Sequence, residues 1–346
     1  MKFAVDTPFL LNRLEELVNT PSPVGYYVEL NPLLERYAAE FGLTVTYDHR
    51  STAYMSMEGE DNSKTVLIGA HGDTLGLMVR RIESDGTIRV RNLGGVNFCN
   101  LEGESVTIHT RNGSSYIGLI CCQSHSVHAF EDARTLERNE NTMMILLDEP
   151  VHSEQEVRAL GIRHGDFVSI EPRFQVTKNG YVKSRFLDDK AAIACCFAMV
   201  KYLKDNGLKP KYRTILAVPY NEEIGLGGTF VPPEVSEYVA VDIGLIGPDY
   251  DGNEYAVSIC AKDNIAPYDY ELTNRLIAYA EKAQCDYAVD IYFHYGTDAN
   301  VAMRGGNNLR AATFGMAVYC SHGMERTHVK GLEATTNLLL AYALDI

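Results

Sequence analysis

Two histidines and a set of carboxylates stand at the ends of apolar runs in this sequence. Thr65-Val66-Leu67-Ile68-Gly69-Ala70 runs directly into His71-Gly72-Asp73, and the run from Thr214 to Pro219 leads to Glu222-Glu223. Val239-Ala240-Val241 ends on Asp242, and the run from Phe314 to Cys320 ends at Ser321-His322. A fifth pair, Asp188-Asp189, stands where a turn enters the helical stretch that begins at Ala191. Imidazole and carboxylate together are the expected donors for zinc, cobalt or manganese. Two divalent cations set against Asp188, Glu223 and Asp242 leave a single positive charge, and one of the adjacent glutamates is then spare. A carboxylate beside cation-held water is placed to act as general base, taking a proton and delivering it to a leaving amine.

Taken one at a time, these residues have ordinary structural readings. A lone His71 reads as a satisfied core histidine, Asp188-Asp189 as a helix cap, and Glu222-Glu223 as solvated charges after a strand. Asp242 is different, because it lies between Val241 and Ile243, where a carboxylate is costly to bury without a partner or a cation. Their shared position decides the matter. In open α/β sheets, ligands bind outside the carboxyl ends of the strands, and four separate apolar runs deliver His, Glu, Asp and His to such ends. His125 and His128 share an H-x-x-H spacing but sit in a different stretch of chain. The sequence contains no nucleophile elbow, zincin helix or P-loop.

The elements that must carry these residues alternate at both ends of the chain. Leu10–Val18 and Tyr27–Phe41 have helical spacing, and Leu43–Tyr47 and Thr65–Ala70 read as strands. From about Leu75 the texture changes to short runs (Leu77–Ile82, Thr87–Val90, Ser105–His109, Ser115–Cys121) separated by turns such as Ser84-Asp85-Gly86, the pattern of small antiparallel strands. One helical piece interrupts that stretch near Ser153–Leu160. Alternation resumes with helices over Ala191–Leu203, Tyr270–Gln284 and Leu332–Leu344, and with strands over Thr214–Pro219, Val239–Ile243, Tyr287–Tyr292 and Ala311–Cys320. The expected organisation is one discontinuous α/β domain, residues 1–73 and 175–346, split by a β-rich insert over 74–174.

The chain has 346 residues, with 31 Lys and Arg against 46 Asp and Glu, a formal charge of −15. That acid excess repels phosphate backbones and anionic membranes, so neither nucleic acid nor membrane is an expected partner. No apolar run reaches the roughly 20 residues that span a bilayer, and the stretch from Met1 to Thr20 reads as an amphipathic helix, not a signal peptide. The eight cysteines form no C-x-x-C pair. Buried free thiols in a reducing compartment are expected, which places the protein in the cytoplasm.

Ala70-His71-Gly72-Asp73, Leu187-Asp188-Asp189-Lys190, Asn221-Glu222-Glu223-Ile224-Gly225, Val241-Asp242-Ile243-Gly244 and Gly296-Thr297-Asp298-Ala299 together resemble peptidase family M42, the dinuclear glutamyl aminopeptidases and TET-type enzymes. The resemblance implies a metallopeptidase α/β/α sandwich, phosphorylase/hydrolase-like, interrupted by a small β-barrel-like domain that assists assembly of a homo-oligomer, often a dodecamer. It implies that two divalent cations, zinc or cobalt with manganese as the alternative, are held by His71, Asp188, Glu223, Asp242 and His322. Asp188 would bridge them, Glu222 would be the general base, and Asp73 would orient the His71 ring. His322 is preferred to His328 because it directly ends a strand. Two departures stand out: Thr74 where most relatives carry a glutamate, and Ser321-His322-Gly323 in place of His-Ser-Pro. The expected activity is metal-dependent removal of N-terminal residues from peptides. The alternatives are hydrolysis of a small N-acylated or amidated peptide solute at the same site, a substrate linked to a branch of the family with similar motifs, and a non-catalytic assembly protein that keeps the fold.

Overall fold

The structure is a computed structural model that describes residues 2–346. Its frame is a nine-stranded sheet. The strands run in the order Val45–Tyr47, Ala53–Met57, Tyr212–Val218, Asp61–Gly69, Val235–Val241, Arg310–Val318, Val257–Lys262 and Tyr287–Ile291, and Gly244–Leu245 pairs beside Arg310–Val318. The four strands from Tyr212–Val218 to Arg310–Val318 are neighbours and mutually parallel. Strands of this kind are covered on both faces and read as nearly continuous apolar runs, which is why these four stand out in the sequence.

Successive residues on these strands serve two different cores. Val66, Ile68, Leu216, Val218, Val239 and Val241 pack beneath the helices Thr7–Val18, Leu30–Glu40, Leu187–Asp205, Tyr270–Lys282 and Val329–Leu344. Leu67, Ile215, Ala217, Tyr238 and Ala240 face the other way, against Ala299 and Ala302 of the short helix Asp298–Arg304 and against Val231. The period of two in a strand produces this division, and the result is an α/β/α sandwich. The first helix follows its sequence signals: the Asp6 carboxylate accepts from the Phe9 amide at 3.1 Å, and Leu10, Leu14 and Leu17 point inward. Leu187–Asp205 is buried along most of its length because Thr7–Val18 and Val329–Leu344 both pack on it.

A separate closed barrel occupies the middle of the chain. Its strands are Gly76–Ile82, Ile88–Leu93, Met143–Leu147, Ser115–Cys122, Glu104–His109 and Phe167–Ile170, every pair antiparallel. Leu77, Val79, Val90, Val106, Ile108, Ile120, Ile145 and Val168 fill it. Closure removes the open edges that six short strands would otherwise expose.

Some elements escape a sequence reading. Ala53–Met57 and Val257–Lys262 are short strands with small or polar residues between their apolar ones, so no run marks them. Asp298–Arg304 has seven residues, too few for a helical period to show. The second helix begins at Leu30, three residues after the periodic pattern starts. All eight cysteines are free; five are buried, Cys285 is half-buried, and Cys99 and Cys320 are exposed. Among the described residues no helix is long and apolar enough to cross a membrane.

Candidate metal centre

His71 follows Asp61–Gly69, Glu222 and Glu223 follow Tyr212–Val218, Asp242 follows Val235–Val241, and His322 follows Arg310–Val318. Because those strands are parallel neighbours, their carboxyl ends bring all five side chains to one edge of the sheet. Asp188 enters from the side, on the turn before the buried helix. The N-cap position of that helix is Phe186, with φ of 66° and no capping side chain, and Asp188 has non-helical backbone angles. Such angles suit a cap residue, but the Asp188 carboxylate is turned to the histidines and not to the helix amides.

Asp188 lies between the two imidazoles. Its Oδ1 is 3.0 Å from His71 Nε2 and its Oδ2 is 3.7 Å from His322 Nε2. Glu223 Oε2 is 3.5 Å from His322 Nε2, and Glu222 Oε2 is 3.9 Å from His71 Nε2. Donor atoms of His71, Asp188 and Glu223 lie within 4.8 Å of one another, and so do those of His71, Asp189 and Asp242. The His71 Nδ1 sits 2.9 Å from the Asp73 carbonyl oxygen. A carbonyl only accepts, so Nδ1 carries a proton, and Nε2 is the ring nitrogen that faces the cluster. The Asp73 carboxylate is farther from the ring, 3.6 Å, and accepts instead from the amides of Glu222 and Glu223 at 3.1 and 3.2 Å. One residue thus orients the histidine through its main chain and fixes the glutamate turn through its side chain. His328 lies elsewhere: its Nε2 is 2.9 Å from the Asn179 carbonyl, and its Nδ1 accepts from the Lys330 amide at the start of the last helix.

Three further acids surround the cluster. Glu325 is buried and accepts from the amides of Asp188 at 3.0 Å and His322 at 3.2 Å, tying together two segments that are distant in sequence. Asp298 accepts from the Gly228 amide at 2.7 Å, securing the loop that follows the glutamates. Asp189 accepts from the His71 amide at 3.2 Å. Asp189 and Asp298 stand in recognisable motifs, but nothing in the spacing around Glu325 announces its role.

Electrostatics test whether a cation belongs here. Burial pushes Glu222 and Glu223 well above the usual carboxylate range; His71 opposes this, while Asp242 acts on Glu222 and Asp188 on Glu223 to push them further. Burial and the neighbouring Asp188 raise Asp242 to about 8, and burial raises Asp298 to about 7. Asp188 is the exception, because His71 and His322 outweigh its burial and hold it low. Asp189 Oδ1 and Asp298 Oδ2 are buried without a hydrogen-bond partner. So many acids around two imidazoles repel one another unless positive charge is added. The residues fit a centre for hard or borderline divalent cations.

The cluster opens into a cavity of about 520 Å³, ample for a short peptide segment. Ile243, Leu245, Ile265 and Val301 give it apolar walls, and Asn264, His294 and Arg304 add polar groups.

Comparison with known proteins gives the chain's family and fold. The profile of the M42 glutamyl aminopeptidase family matches residues 52–338. YhfE of Bacillus subtilis (strain 168) is 40% identical over 330 residues, 95% of each chain. Among solved structures, aminopeptidase APDkam598 of the archaeon Desulfurococcus kamchatkensis superposes with a TM-score of 0.88 at 21% identity, covering 98% of this chain and 96% of its own. The TET1 peptidase of Pyrococcus horikoshii, which assembles into a tetrahedron or a large octahedral shell, gives 0.83 at 23% identity over 97% of this chain and all of its own. With its fold, its strand-edge cluster and a profile match across most of its length, the chain belongs to the M42 glutamyl aminopeptidase family.

Proposed function

We propose that this metal-dependent aminopeptidase holds two divalent cations at the sheet edge and uses Glu222 as the general base that releases N-terminal residues from peptides. The observation that carries the proposal is the convergence of four parallel strand ends on Asp188, with an imidazole on either side of one carboxylate. In this reading His71 and Asp242 hold one cation, His322 and Glu223 the other, and Asp188 is shared. When bound, the cations supply Lewis-acid polarisation of the scissile carbonyl and lower the pKa of water. Glu222, half-buried and left over from the ligand set, takes a proton from the attacking water and delivers it to the departing amine. Asp73 keeps Glu222 and Glu223 in register through their amides. Zinc or cobalt is the expected metal, with manganese the alternative.

The same proposal makes the protein a cytoplasmic homo-oligomer, with the dodecamer as the expected form and residues 74–174 as the assembling domain. Its eight free cysteines support a reducing compartment, and the exposed Ile117 on a barrel strand and Val127 on the loop after it support burial against another copy. The activity is tested by digesting matched peptides with free and N-acetylated amino termini, before chelation, after it, and after metal is returned. Stepwise loss of N-terminal residues from the free peptides alone, restored by metal, is the expected result. Equal cleavage of the acetylated set would instead establish a hydrolase of blocked peptides.

A further inference from the structure

His71 and His322 are held very differently. The His71 side chain is only 2% exposed, and its ring is oriented by a carbonyl two residues along its own strand end. The His322 side chain is 37% exposed and stands on an outward turn with φ of 62°. Its Nδ1 is 3.0 Å from the carbonyl oxygen of Gly95, a residue of the barrel. Gly94 and Gly95 leave the barrel strand Ile88–Leu93 and pack directly on the cluster. A Cβ at Gly94 would lie 3.2 Å from the Glu223 Cβ, and one at Gly95 would lie 2.9 Å from the His322 Nδ1. The loop keeps its own shape, since the Gly94 carbonyl accepts from the Val96 amide and from the Asn92 side chain. That leaves the Gly95 carbonyl to take the His322 proton.

We infer that Gly95 of the barrel insert is a positioning residue for the second cation, fixing through its carbonyl the tautomer and direction of the His322 ring. This rests on the dinuclear reading proposed above. A carbonyl that accepts from Nδ1 leaves the Nε2 lone pair aimed at Asp188 and Glu223, and outer partners of this kind govern ligand affinity. The barrel is then part of the metal centre. Only a residue without a side chain fits between the loop and the ring.

The test is Gly95→Ala. Its backbone is not left-handed, and the only atoms within 4 Å of the added Cβ belong to the His322 ring, so the substitution reports on that ring alone. Chelator-stripped wild type, Gly95→Ala, His322→Ala and the double variant are titrated with cobalt alone, following binding by calorimetry and the visible spectrum, and their melting temperatures are measured. Wild type should take two equivalents. Gly95→Ala should keep the first and bind the second about 10- to 100-fold more weakly. The double variant should match His322→Ala in cobalt binding and in melting temperature, because removing the ring removes the clash. Two equivalents bound by Gly95→Ala with wild-type affinity would overturn the inference, as would a double variant less stable than His322→Ala by the full cost of Gly95→Ala. One equivalent or none in wild type would overturn the dinuclear reading itself.

Discussion

Glu222 and Glu223 are adjacent and have the same side chain, yet the site gives them different neighbours: Glu223 lies against His322 and Glu222 against His71. Replacing Glu222 by Gln keeps its shape and removes its basicity. Turnover should fall by about 10²- to 10⁴-fold with the metal content unchanged, as elemental analysis beside kcat would show. Loss of metal in that variant would make Glu222 a ligand. Glu325 should behave in the opposite way. Glu325→Ala strips acceptors from the buried amide of Asp188 and the half-buried amide of His322, at about 1–3 kcal/mol for the buried one. Lower thermal stability and weaker metal binding are expected together, and unchanged values of both would contradict the positioning role. Legibility at this scale follows chain distance. His71 and Asp242 are visible because each closes an apolar run. The contact between Gly95 and His322 spans 227 positions, and no local pattern encodes it.

The elements that carry the site were readable where both faces of a strand are buried. Tyr212–Val218, Arg310–Val318 and the later parts of Asp61–Gly69 and Val235–Val241, from Thr65 and Val239, are apolar enough to be recognised, while the polar start of Asp61–Gly69 left no such run. Their adjacency is another matter: the order brings Tyr212–Val218 beside Asp61–Gly69 across the whole barrel, a pairing set by tertiary packing. The N-terminal segment meets the barrel at His109, whose ring lies against Tyr26, with Nε2 2.8 Å from Ser169 Oγ and Nδ1 3.4 Å from Glu29. Burial pulls this imidazole below its usual 6.5, and Glu29 offsets part of the effect. The unfolded chain therefore takes up this proton at higher pH than the folded one. The contribution to stability is complete above pH 6.5 and is lost as pH falls through the folded value. His109→Gln, which keeps a hydrogen-bonding group and cannot titrate, should flatten the fall in melting temperature below that pH. An unchanged slope would assign the effect to other groups.

At the scale of the whole molecule, the −15 charge of the sequence divides into a buried share and a surface share. Asp73, Asp188, Asp189, Glu222, Glu223, Asp242, Asp298 and Glu325 concentrate at one sheet edge, where the proposed cations would offset them, while Asp166, Glu237, Asp263 and Asp290 are buried elsewhere. Ile117 on a barrel strand and Val127 on the loop that follows it are both more than half exposed. In the proposed assembly these residues are covered, so replacing both by Asp should shift the mass measured by light scattering from the oligomer toward smaller species. An unchanged mass would locate the contacts on another surface. In the proposed mechanism two cations, held at the ends of four strands, support release of N-terminal residues. The most direct measurement is a cobalt titration of the chelator-stripped protein, with bound metal and release from a free-amine peptide followed together. Activity that reaches its full value only as the second equivalent binds is the predicted result, and full activity at one equivalent, or without metal, would contradict the account.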